Sequence, residues 1–128
     1  MNIWVNGCFD IVHRGHMELF KYAKEQGKFL VVGIDSDKRV KKNKGSARPI
    51  NNQEDRKFFL ECIKYIDKVV VFDSDYELET CVSLHNIDYL IVGSDYRDKD
   101  VIGSEYAKEV IFFDRIDNYS TTNILEKT

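Results

Sequence analysis

Two histidines three residues apart, with a glycine between them, are the first residues here that could do chemistry. They lie in Gly7-Cys8-Phe9-Asp10-Ile11-Val12-His13-Arg14-Gly15-His16, which follows the apolar run 3–5 and leads into a helical pattern. At a helix start, His13 and His16 fall on the same side. Gly7 permits a close backbone approach. Gly15 leaves room for a phosphate chain at a helix N-terminus, where N–H groups and the dipole favour anions. Imidazoles there can donate hydrogen bonds to phosphoryl oxygens. The competing readings are two surface histidines, or a metal pair with Cys8 or His85. No fourth ligand has suitable zinc spacing, and the strand–glycine–helix setting points to phosphate chemistry.

A polyanion site needs cations, and these are concentrated. Residues 38–48 carry six positive charges and no acid, whereas the whole chain has a net charge of −3, so the remainder sums to −9. A mildly acidic protein is a poor general nucleic-acid binder. One basic segment on an acidic body suits a small polyanion. Lys41, Lys44 and Arg48 read as loop residues able to fold over a triphosphate; a solvated charge run is the alternative. Ser120 precedes an apolar helix and suits an N-cap, or with Thr121 and Thr122 a phosphate contact. Asp95 could accept hydrogen bonds from a ribose or an acceptor, or close a turn. Asp10 could cap the first helix or orient His16.

The elements that must position these residues alternate. Short β-rich runs occur at 3–5, 29–34, 69–72, 89–92 and 110–113, with helical patterns at 16–26, 52–66, 76–86 and about 121–127. The order β-α-β-α-β-α-β-α-β-α predicts a single α/β domain, Rossmann-like and doubly wound, with a five-stranded parallel sheet covered on both faces. Near-continuous apolar strands such as Phe29-Leu30-Val31-Val32 fit burial on both sides. Each unusual segment follows a strand end, where open parallel sheets bind ligands. The connections 35–51 and 93–108 are longer than packing requires. No apolar run approaches the ~18–20 residues of a membrane helix, and no secretory signal is visible. Three cysteines without a CxxC pair suggest free thiols in a reducing, cytoplasmic setting. Cys62 and Cys81 fall on apolar helix faces and are expected in the core.

His-Arg-Gly-His preceded by Gly-Cys-Phe-Asp resembles the cytidylyltransferase-like nucleotidyltransferases, a branch of the HIGH superfamily. Arg115-Ile116-Asp117-Asn118-Tyr119-Ser120-Thr121-Thr122 resembles that family's second signature, Arg-Thr-x-Gly-Ile-Ser-Thr-Thr in glycerol-3-phosphate cytidylyltransferases. Ile116, Asn118 and Tyr119 depart from that pattern. The segments 44–51, 93–96 with Ile102-Gly103, and 120–124 look closest to heptose 1-phosphate adenylyltransferases, including the C-terminal domain of bifunctional heptose kinase/adenylyltransferases. Arg115 is typical of the glycerol-phosphate branch. The resemblance covers essentially the whole chain.

The resemblance implies transfer of a nucleoside monophosphate from an NTP, ATP or CTP, to a sugar or polyol phosphate, with release of pyrophosphate. It implies His13, His16 and Lys44 as catalytic residues. It places Gly7, Cys8, Phe9, Gly15, Asp95, Arg115, Tyr119, Ser120, Thr121 and Thr122 around the nucleotide. Asp10, Lys41, Arg48 and Arg56 fall to the acceptor or phosphates. For Arg56 a helix-surface ion pair with an acidic neighbour is the alternative. Mg²⁺ is expected with the NTP, held mainly by phosphates and waters, and a homodimer is the family's common state. ATP with heptose 1-phosphate ranks first and CTP with glycerol 3-phosphate second. A non-catalytic nucleotide-binding module is the reading from another class; binding alone would not need both histidines.

Overall fold

The computed structural model describes residues 1–114. The expected helix at about 121–127, and Arg115, Tyr119, Ser120, Thr121 and Thr122, lie outside the described residues.

Five strands form one sheet: β1 (Asn2–Gly7), β2 (Phe29–Asp35), β3 (Lys68–Phe72), β4 (Tyr89–Gly93) and β5 (Glu109–Phe113). Their order is β3-β2-β1-β4-β5 and every pairing is parallel. This is the expected doubly wound sheet. The first strand lies at its centre, and the order reverses between β1 and β4, the place where such sheets open a ligand crevice.

The helices are α1 (Arg14–Glu25), α2 (Asp37–Lys44), α3 (Gln53–Glu61) and α4 (Asp75–Leu84). Because strand side chains alternate faces, the sheet has two cores. Ile3, Val5, Leu30, Val32, Ile34 and Val69 pack with Phe20 and Ala23 of α1 and Leu60 of α3. Trp4, Val31, Phe72 and Leu90 pack on the other face with Leu78 and Val82 of α4, and with Val101 and Ile102. Gly33 lies beneath the indole: a Cβ there would stand 2.5 Å from Trp4 Cζ2.

Four expectations change. The connection 35–51 contains α2, which puts Lys41 and Lys44 on a helix rather than in a loop. Between β4 and β5 the chain makes two 3-10 turns, Ser94–Tyr96 and Ser104–Tyr106, instead of an α-helix. The helix expected over 52–66 stops at Glu61, so Ile63 and Ile66 pack from the turns that follow. Cys62 is exposed, because Phe58 and Phe59 also face outward and the inward side of α3 is carried by Arg56 and Leu60, whereas Cys81 of α4 is half-buried and packs against the second core. Among the described residues, no helix is long and apolar enough to cross a membrane.

Candidate active site

The end of β1 sets the geometry. Phe9 has a positive φ of 50°, a conformation disfavoured for a bulky residue. That turn folds the Phe9 ring back over the strand, so a Cβ on Gly7 would lie 3.1 Å from Phe9 Cζ. A side chain there would press the ring by a few tenths of an ångström. The ring then meets His16 edge-on at 5.1 Å and Phe20 at 5.2 Å.

Helix α1 begins with His13 at its N-cap and has no acidic residue in its first turn. The other three helices are capped by Ser36, Asn52 and Ser74 and carry acids in the first turn. The positive end of the α1 dipole is therefore not offset by a local carboxylate. The His13 N–H donates to His16 Nδ1 at 3.3 Å, so neutral His16 carries its proton on Nε2 and can donate it to an anion. The two imidazoles stack at 3.8 Å with 20° between planes. Both His13 ring nitrogens are buried, so an oxyanion they meet is met in a medium of low polarity, where each hydrogen bond is stronger. Gly15 sits in the first turn of α1, where it adds no side chain to the approach.

Cys8 is buried beside this turn. Burial pushes its thiol up, and the charges of Lys44 and Arg56 pull it back without prevailing. Lys44 is exposed at the end of α2, and its positive charge is felt at Cys8. Lys41 lies one turn earlier, also exposed.

Asp10 and Arg56 depart from their expected places. Asp10 is not the cap of α1, which is His13. Its carboxylate accepts from Ile50 N–H (2.9 Å), Asn51 N–H (2.8 Å) and Arg48 Nε (3.0 Å), while Asn51 Nδ2 donates back to the Asp10 carbonyl at 2.7 Å. Burial pushes the Asp10 carboxyl up, but the two backbone N–H groups and Arg48 outweigh it and hold it below the usual range. Arg48 is thereby held through its Nε by Asp10. Arg56 is completely buried. It donates to the carbonyls of Asn51 (3.0 Å), Cys8 (2.9 Å) and Asp35 (2.7 Å), and to Asp37 Oδ1 (2.8 Å). It is neither a phosphate ligand nor a surface ion pair. It joins the β1 turn, the end of β2, and the starts of α2 and α3.

Sequence reasoning did not single out Asn51 or Asp37. The available signals were a carboxylate in the β1–α1 turn and two more around the end of β2, each needing a buried partner once the sheet closes. Asp95 lies in the 3-10 turn after β4, beside the crevice.

A family model described as Cytidylyltransferase-like matches residues 4–127. The bifunctional protein HldE of Campylobacter fetus is 46% identical over 125 residues, covering 98% of this chain and 27% of that protein. HldE of Helicobacter pylori strain P12 is 43% identical over the same length, with the same coverage. The chain thus spans about a quarter of the length of these curated relatives. Among solved structures, a lipopolysaccharide core biosynthesis protein from Thermoplasma volcanium superposes with a TM-score of 0.70. It is 23% identical and covers 94% of this chain and 98% of its own, a likeness of fold. With the histidine turn at the switch point and a family match along nearly its full length, the chain belongs to the cytidylyltransferase-like family.

Proposed function

We propose that this enzyme transfers AMP from ATP to a heptose 1-phosphate, giving an ADP-heptose and pyrophosphate. The observation that carries the chemistry is the His13 and His16 pair at the start of α1, which has no acidic residue in its first turn and lies at the β1–β4 switch point. The similarity to HldE proteins, together with the 44–51 and 93–103 segments, supports the heptose branch.

In this reading an oxygen of the acceptor phosphate attacks the α-phosphorus. A P–O bond forms there, the bond to the β-phosphate oxygen breaks, and its electron pair leaves with pyrophosphate. The residues position two polyanions and neutralise charge as it shifts to the leaving group. His16 donates through Nε2, His13 donates beside it, and Lys44 with Lys41 offsets the phosphate charge. A buried Cys8 with a raised pKa fits a route without a covalent enzyme intermediate. Among the described residues no group of three His, Cys, Asp or Glu could hold a metal ion. Mg²⁺ would enter with the triphosphate, held mainly by phosphates and waters.

Arg115 favours a second reading, CTP with glycerol 3-phosphate. A pyrophosphate-release assay with each NTP and each acceptor separates the two. Turnover of ATP with heptose 1-phosphate above the other pairs is expected. Turnover confined to CTP with glycerol 3-phosphate would replace the substrate assignment. Nucleotide binding with no release for any pair would leave a binding module.

A further inference from the structure

An in-line displacement needs cations on both sides of the α-phosphorus, because the attacking phosphate and the departing pyrophosphate are both anions on opposite sides of it. His13 and His16 stack at the β1 side, where the Lys44 charge is felt at Cys8. The opposite side of the crevice is built by the ends of β4 and β5, in register from Tyr89↔Glu109 to Gly93↔Phe113. The β1 and β5 ends are two strand spacings apart, about 10 Å.

Among the described residues, four arginines are already engaged. Arg14 pairs with Glu18, Arg39 with Asp35 and Asp75, Arg48 with Asp10, and Arg56 with Asp37. Arg97 differs. Its backbone is fixed by the 3-10 turn after β4, with its N–H on the Ser94 carbonyl at 3.2 Å. Its guanidinium lies over the Phe112 ring of β5, with Cζ 5.2 Å from the centroid. Among the described side chains it has no ion-pair partner, and the residue is exposed. An aromatic ring steadies a guanidinium without neutralising it, and leaves the N–H fork that fits a phosphate bidentately.

We infer that Arg97 binds the phosphate of the acceptor, as a phosphomonoester site distinct from the NTP phosphate site at α1. The inference rests on the nucleotidyltransferase reading with a phosphorylated acceptor. It makes Arg97 a binding residue for one substrate only.

The test is steady-state kinetics of wild type, Arg97→Gln and Arg97→Lys, using whichever of ATP with heptose 1-phosphate or CTP with glycerol 3-phosphate the wild type turns over. Arg97→Gln should raise the acceptor KM about 10- to 100-fold, the loss expected for a charge-assisted pair of hydrogen bonds. The NTP KM and kcat should stay within about twofold, and Arg97→Lys should fall between. An unfolding midpoint equal to wild type is expected for an exposed side chain. An acceptor KM unchanged in Arg97→Gln, or an NTP KM raised equally, would overturn the inference while the function stands. No pyrophosphate release from wild type with either pair would remove the function and the inference together.

Discussion

Replacing Arg56 by Met keeps most of the aliphatic volume and removes the guanidinium, so it tests what that group holds. The bond to the Cys8 carbonyl is fully buried, and an acceptor left there without a donor costs about 1–3 kcal/mol. The bonds to the Asp35 and Asn51 carbonyls are partly buried. Water can replace part of each, leaving about 1–2 kcal/mol together. The Asp37 side chain is 30% exposed, so it rehydrates and the loss there stays well below the 3–5 kcal/mol of a fully buried broken pair. The sum is about 3–5 kcal/mol, a large share of the roughly 5–15 kcal/mol that holds a typical domain folded. Arg56→Lys keeps the charge but lacks the fork that spans four acceptors, and should lose about 2 kcal/mol. Urea unfolding followed by far-UV circular dichroism measures both. A loss below about 1 kcal/mol in Arg56→Met would refute the argument, since that is what an exposed helix pair delivers.

His16→Ala should lower kcat by about 10²–10³, the usual result of removing one transition-state donor, with a small stability loss from its contact with Phe9; turnover within a few-fold of wild type would exclude the assigned role. Gly7→Ala should lower kcat and cost about 1–3 kcal/mol, because a methyl group there drives the Phe9 ring toward His16; kinetics and a urea midpoint both equal to wild type would show that the ring does not hold His16. For Asp10, the folded pKa lies below the unfolded value of about 3.9. Its carboxylate therefore adds stability that is fully present above about pH 4 and is lost as pH falls through the folded value. The stability gap between wild type and Asp10→Asn should narrow on acidification, and a gap that widens between neutral pH and pH 3 would contradict the assignment.

The parts of this fold visible in the sequence are those whose burial is one-sided or complete. Leu30, Val31 and Val32 are fully buried, so the run 29–34 reads directly as a central strand. Helix α2 is invisible to the same reasoning, because Val40 is its one buried residue and a single apolar position has no period. The β4–β5 connection fails for the converse reason: Val101 and Ile102 pack from irregular chain. At the site, the His13 and His16 turn was legible because glycine, histidine and strand end occur together in sequence. Arg56 was not. In a helix start flanked by Glu54 and Asp55, an arginine reads as solvated, and its four acceptors come from residues 5 to 48 positions away. The link between Asp10 and Asn51 is hidden for the same reason, since it spans 41 positions.

The central position of β1 also has a temporal side. β1 leaves the ribosome before the other four strands of this sheet and can pair with β2 once residue 35 has emerged. Its other edge waits for β4, which ends at Gly93. At ~5–20 residues per second, the stretch from residue 36 to residue 93 takes roughly 3–12 s to synthesise. Throughout that interval Ile3, Trp4 and Val5 present an unpaired apolar edge, the kind of surface that templates association between nascent chains. The half of the crevice that carries the histidines is thus made early and kept unusable until β4 arrives. Substitutions that delay β4 pairing, even ones mild in the finished fold, should lower soluble yield before they lower turnover per folded molecule.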